Sequence, residues 1–96
     1  MKGGNINEFI DHTTYEECAI KYKEEKYFFY GIVFNEKTGL YSYDIAQWDE
    51  NGKQTKWLFC EMAKTANEIL EKFYQAAIWN GKTFWEVESD MEWIDW

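Results

Sequence analysis

The sequence predicts an α+β domain, in which helices cover one face of an antiparallel sheet. Three observations carry this. Apolar residues alternate with period two between Cys18 and Cys60. Capping residues at Asn5, Thr65 and Thr83 each precede an apolar stripe, and turn-forming residues separate the alternating runs. The expected order is a short N-terminal helix, a meander of about four strands and two C-terminal helices packed on one sheet face. A short C-terminal edge strand is one of two readings of the last residues.

Asn5 opens the first helix as N-cap, with Glu8 three positions on, and Phe9 and Ile10 supply an apolar side that ends near His12 or shortly after. From Cys18 the period falls to two. Cys18, Ile20 and Tyr22 should face inward and Ala19, Lys21 and Lys23 outward, and Glu24-Glu25 should make a tight connection. The next run, KYFFYGIVF from Lys26 to Phe34, is apolar on both faces. Phe28, Tyr30, Ile32 and Phe34 lie on one and Tyr27, Phe29 and Val33 on the other, as in a strand at the middle of a sheet. Asn35 to Gly39 suits a hairpin loop with Gly39 at positive φ, and Leu40 to Trp48 returns with Tyr41, Tyr43 and Ile45 on one side. Asn51-Gly52 is the pair that a type I′ turn favours, and a fourth strand follows from Thr55 to Cys60.

Thr65 and Glu68 form a capping box ahead of a helical stripe of Ile69, Leu70, Phe73 and Ala77. Glu68 precedes Lys72 by one turn, and Asn80-Gly81 should end the helix. Thr83 and Glu86 repeat the box, which predicts a short helix from Phe84 to about Ser89 and then a strand at Glu92 to Asp95. The competing reading is one long strand with Trp85, Val87, Met91 and Trp93 on one face and Glu86, Glu88, Asp90 and Glu92 on the other. The cap favours helix then strand.

A chain of 96 residues fits one domain, 1–96, and 46% apolar and 21% aromatic residues are too many for a disordered acidic tail. There is no Pro and no Gly/Ser-rich linker. No apolar run nears the roughly 18 residues of a membrane span. The start, MKGGNINEF, has no apolar signal-peptide core, so a cytoplasmic protein is expected. Cys18 and Cys60 then read as reduced structural thiols, and with only His12 to add they suggest no zinc site.

Eighteen acids against ten lysines, with no arginine, give a formal charge of −8. Direct nucleic-acid binding needs clustered cations and is not expected, whereas a protein partner with a basic surface is. No phosphate loop, dinucleotide fingerprint, calcium loop or nucleophile motif occurs, and His12 stands alone. The sequence therefore points to no enzyme and no cofactor. Acidic pairs such as Glu16-Glu17, Glu24-Glu25 and Asp49-Glu50 fit solvated caps and turns. An aromatic sheet face can stack single-stranded bases, but the absence of arginine counts against that here.

Attention falls on Trp79 to Trp96, which holds four of the six tryptophans beside Glu86, Glu88, Asp90, Glu92 and Asp95. Aromatic anchors give desolvated contact area and carboxylates accept paired bonds from arginine, so the stretch has the composition of a surface that meets a basic groove. Glu86, Glu88, Asp90 and Glu92 are the candidate charges, with Trp85 and Trp93 the candidate anchors. The plainer reading buries Trp85, Val87 and Trp93 and leaves the acids in water.

NINEFI at Asn5 to Ile10, antiparallel strands, and then EILEKF at Glu68 to Phe73 leading through a Gly-containing turn into an acidic aromatic stretch resemble the small phage-borne type II-A anti-CRISPR proteins of low-GC Gram-positive bacteria. The resemblance covers about a third of the chain, in two short blocks. It implies an acidic single domain that binds the guide-loaded, RNA-guided CRISPR nuclease. Carboxylates, here Glu86, Glu88, Asp90 and Glu92, would then occupy the arginines that read the PAM. The chain departs from the family in a sparser acidic run, more tryptophan and an additional strand at Cys18 to Lys23 or at the C-terminus. The meander is also similar to small proteins of the same bacteria in which a GKS-type turn, here Gly81-Lys82-Thr83, precedes a short helix. Those bring no function with them.

Overall fold

The computed structural model describes residues 1–94. Its order is α1 (Ile6–Tyr15), β1 (Cys18–Tyr22), β2 (Glu25–Asn35), β3 (Leu40–Trp48), β4 (Gln54–Ala63), α2 (Ala66–Gln75), α3 (Phe84–Val87), a 3-10 turn (Glu88–Asp90) and β5 (Glu92–Ile94). The strands form one antiparallel sheet in the order β4-β3-β2-β1-β5. This is the α+β class that the sequence predicts, with the short C-terminal strand present beside β1. The predicted end of that strand at Asp95 lies outside the described residues. Among the described residues, no helix is long and apolar enough to cross a membrane.

The caps form where the sequence places them. Asn5 Oδ1 accepts from the amides of Asn7 (2.8 Å) and Glu8 (3.4 Å), and Thr65 Oγ1 accepts from the Glu68 amide at 3.1 Å. Such bonds satisfy donors that the first helical turn leaves orphaned. All three helices pack on one sheet face. Phe9 of α1 meets Phe29, Phe84 and Trp93, with ring centroids 5.4–5.9 Å away. Phe73 of α2 touches Phe29, Tyr43, Phe59, Trp79 and Phe84 at 5.2–6.2 Å. Inside this core the Thr13 hydroxyl and the Tyr43 phenol share a buried hydrogen bond of 3.0 Å. Burial drives the Tyr43 phenol far above its ordinary pKa, so it stays a neutral donor–acceptor.

Several local expectations differ from the structure. Ala19, which the alternation turns outward, is buried at 1% exposure, and four further differences concern turns, a bulge and a helix end. The β1–β2 connection is Lys23-Glu24 rather than Glu24-Glu25. Both residues have positive φ, 49° and 67°, which is the type I′ geometry that the twist of a two-residue hairpin demands. Asn51-Gly52, by contrast, is not a type I′ pair, since only Gly52 has positive φ. The Asp49 carboxylate accepts from the amides of Asn51 and Lys53, both at 2.9 Å, and builds a longer Asx-type loop in its place.

The third difference lies in β2, where the register shifts between Phe29 and Ile32. A bulge over Tyr30-Gly31 puts Ile32 on the side of Phe29 and Tyr27, because both Phe29 and Ile32 pair with core residues of β3, Ile45 and Tyr43. The alternation read from the sequence is therefore inverted after Gly31. The fourth is α2, which ends at Gln75 and not at Asn80-Gly81. An unbroken helix would turn Trp79 about 240° around the axis from Phe73, away from the core. Instead the chain extends after Ala76, and Trp79, 2% exposed, packs against Tyr27, Phe29, Phe73 and Phe84. Asn80 and Gly81, at φ 54° and 81°, then form the tight turn that the paired bonds between Trp79 and Lys82 close.

The two sheet edges differ. The outer edge of β5 is covered by the N-terminal segment: the Lys2 amide donates to Met91 O and the Trp93 amide to Lys2 O, both at 2.8 Å. The other edge is β4, lengthened beyond the predicted Thr55 to Cys60 and interrupted by two register shifts against β3. Such irregularities discourage edge-to-edge pairing.

Candidate functional site

The six candidate residues do not form one surface. Glu86 and Glu88 are two positions apart in a helical segment, about 200° around its axis, so the single acidic face of the long-strand reading does not arise. Glu86 folds back on its own helix: Oε1 accepts from the Thr83 amide at 3.0 Å and from the Thr83 hydroxyl at 3.1 Å. The backbone bond, above all, holds its carboxyl below the usual glutamate value. Glu88 Oε2 lies 3.1 Å from the Met1 amino nitrogen. Both groups are largely shielded, which leaves Glu88 the least available of the four acids.

Asp90 and Glu92 belong to a second place. With Lys2, Lys21, Lys23 and Glu24 they line a shallow depression at the β1–β5 end, where cations and carboxylates alternate. Glu92 is cross-strand partner to Lys21 and bridges to Lys2. The charge there is locally balanced.

The two tryptophans also part. Trp93 is half-buried, edge-on to Phe9 (5.4 Å) and His12 (5.5 Å), and a Cβ on Gly4 would meet its ring at 2.5 Å. It packs against the core and holds the N-terminal segment and α1 to β5. Trp85 is 48% exposed and lies against Tyr74 at 5.4 Å and Phe84 at 5.4 Å. Trp85 and Tyr74 therefore make an aromatic pair on the outside of the helical layer. Glu71 stands one turn before Tyr74 on α2, and Glu88 three residues beyond Trp85.

A wider pattern appears once the elements are placed. The helices and the 3-10 turn carry Glu8, Asp11, Glu68, Glu71, Glu86, Glu88 and Asp90, all but Glu88 exposed, against Lys72 within the helices and Lys64 and Lys82 just before the caps of α2 and α3. Of these acids Glu88 is turned to the Met1 amine and Asp90 to the lysine-lined depression. Lys72 points back to the sheet, with Nζ 3.1 Å from Met62 O and 3.9 Å from the Glu61 carboxylate. From Cys18 to Ala63, acids and lysines nearly balance: Glu24, Glu25, Glu36, Asp44, Asp49, Glu50 and Glu61 against Lys21, Lys23, Lys26, Lys37, Lys53 and Lys56. The helices and the 3-10 turn thus hold −6 of the chain's −8, and the span from Cys18 to Ala63 only −1. Sequence reasoning missed Glu8, Asp11, Glu68 and Glu71 because they lie some 60 residues apart in the chain. A helical wheel of α1 and α2 read together was the signal that pointed to them.

Nucleophilic chemistry finds no support in the geometry. Cys18 and His12 line one cleft beside Trp93, but burial pushes the Cys18 thiol up to about 11, the reverse of what an activated thiolate needs. His12 Nε2 lies 3.1 Å from Glu17 O. Cys60, exposed on β4, is also raised, by desolvation first and then by nearby Asp44 and Glu61. Among the described residues no three His, Cys, Asp or Glu side chains converge as metal ligands. Comparison of the chain with protein-family models, with curated proteins and with solved structures finds no match.

Proposed function

We propose that the protein is a small, non-enzymatic, cytoplasmic binding module that presents its acidic helical layer to a basic site on a partner protein. One observation carries this reading: on the helices Glu8, Asp11, Glu68, Glu71 and Glu86 are exposed and Lys72 turns inward, while the span from Cys18 to Ala63 is nearly neutral. A one-sign surface raises the encounter rate with an oppositely charged groove and excludes acidic competitors. The Trp85–Tyr74 pair on the outside of the same layer supplies the large, stiff contact area typical of interface anchors. The partner class that fits is a nucleic-acid-processing protein whose phosphate or PAM-reading arginines accept carboxylates. In keeping with the type II-A anti-CRISPR resemblance, the named instance is an RNA-guided CRISPR nuclease blocked by a phage or mobile-element inhibitor.

The experiment is a pull-down with guide-loaded nuclease, followed by titration at rising salt. Wild type should bind, and affinity should fall at least tenfold between about 50 and 300 mM salt, as the Debye length shrinks. Asp11→Lys with Glu71→Lys should abolish binding while the circular dichroism stays native. Binding that ignores both salt and reversal would sink the charge-led reading.

A second reading rests on the internal engagement of Glu86 and Glu88. Here the acids keep the domain soluble, and Trp85 with Tyr74 forms an apolar contact with a protein partner, as in an immunity-type module. Trp85→Ala would then abolish binding and salt would leave it unchanged.

A further inference from the structure

The sheet face opposite the helices carries an aromatic layer. Ala19, Phe28, Ala46 and Trp57 are register neighbours across β1 to β4. Phe28 meets Tyr30 at 4.7 Å and Trp48 at 6.0 Å, and Tyr30 meets Trp57 at 5.5 Å. These rings close over Ala46, which is fully buried although no helix lies above it. Trp57 at 50%, Val33 at 56% and Met62 at 60% remain exposed beside them. The functional reading above uses none of these residues.

The geometry points to a second copy of this chain as the occupant of this face, giving a symmetric dimer in which two sheets pack face to face and both acidic helical layers point outward. Charge decides the occupant. Each copy carries −8, of which the helices and the 3-10 turn hold −6 and the span from Cys18 to Ala63 only −1. The open sheet face, which carries Asp44 together with Lys21 and Lys26, is therefore the broad surface on which two copies stack the fewest like charges, and a basic partner has more to gain on the other side. Area agrees. With strands about 4.8 Å apart and about 3.3 Å of rise per residue, the patch from β1 to β4 spans roughly 450 Å² in plan on each copy. Two copies bury about 900 Å² before ring relief is counted, just under the roughly 1,000 Å² that a specific interface clears, so the dimer is a weak one. The rings already rest on one another, so little side-chain freedom is lost on association. Aligned packing of two such faces about 10 Å apart is the ordinary geometry of a β-sandwich.

The test is sedimentation equilibrium of the full chain from about 2 to about 200 μM, the range in which a modest interface titrates. Wild type should move from the 11.6 kDa of one chain towards twice that mass. Association should tighten with added salt, because salt screens the repulsion between copies, whereas capture of a basic partner weakens. Trp57→Lys and, as a milder change, Met62→Lys should each shift the midpoint at least tenfold towards monomer. Trp85→Lys, on the helical layer, should leave it in place. A chain that stays monomeric throughout, or a dimer that survives Met62→Lys and dissociates with Trp85→Lys, overturns the proposal.

Discussion

At Gly31 the main chain of β2 runs so close to the end of α1 that a Cβ would stand 3.1 Å from both N and O of Glu16. Its φ of 77° is also in the left-handed region. Gly31→Ala therefore meets backbone strain and a backbone contact together, and we expect it to lower stability by about 1–3 kcal/mol. Urea unfolding measures this, and an unchanged midpoint would mean that the bulge relaxes freely. The Thr13–Tyr43 bond makes a second case. Thr13→Val keeps the shape but strands the buried phenol, at a cost of about 1–3 kcal/mol, and adding Tyr43→Phe should recover most of it. A double-mutant cycle that shows no coupling would remove the bond from the account.

At the scale of elements, short helices depend on their caps. The helix α3 has only four residues, and its first turn is closed by Glu86 on Thr83. The carboxyl is depressed in the folded state, so its contribution is fully present above the unfolded value of about 4.3 and disappears as pH falls through the lower folded value. Glu86→Gln should consequently melt below wild type at pH 7, and the gap should close as pH falls through the lowered folded value of Glu86, beyond which both side chains are neutral. A gap that persists at low pH would assign the effect to packing. The same scale separates what the sequence disclosed from what it did not. Caps at Asn5, Thr65 and Thr83 are local chemistry readable from a few neighbours, whereas Ala19, which the alternation turns outward, is buried at 1% exposure beside its cross-strand partner Phe28. The bulge at Gly31 and the early end of α2 are not local. The first answers to the approach of Glu16, and the second to the space among Phe29, Phe73 and Phe84 that Trp79 fills. The candidate site divides likewise. Residues 86–92 are visible as composition, but Trp93 packs against the core only through Phe9, and the acids of α1 and α2 join α3 only when the helices share a layer.

For the whole molecule, the separation of charge sets stability against binding. Carboxylates gathered on one side repel one another, so the folded state retains a cost that function would tolerate and stability alone would remove. Asp11 lies on the exposed side of α1 three residues after Glu8, and Glu71 on α2 three residues after Glu68. A lysine at either place gains a carboxylate neighbour across one helical turn, worth about 0.2–0.5 kcal/mol for each pair. Asp11→Lys and Glu71→Lys should thus raise the melting temperature by a few degrees together, the shift that about 0.5–1 kcal/mol produces in a domain of this size. The same pair of substitutions should eliminate capture of a basic partner. Thermal melts at about 20 and 300 mM salt complete the argument, since screening should stabilise wild type more than the double variant. Were the double variant to lose stability instead, the acids of the helical layer would be structural, and the surface that meets the partner would have to be sought around Trp85 and Tyr74 alone.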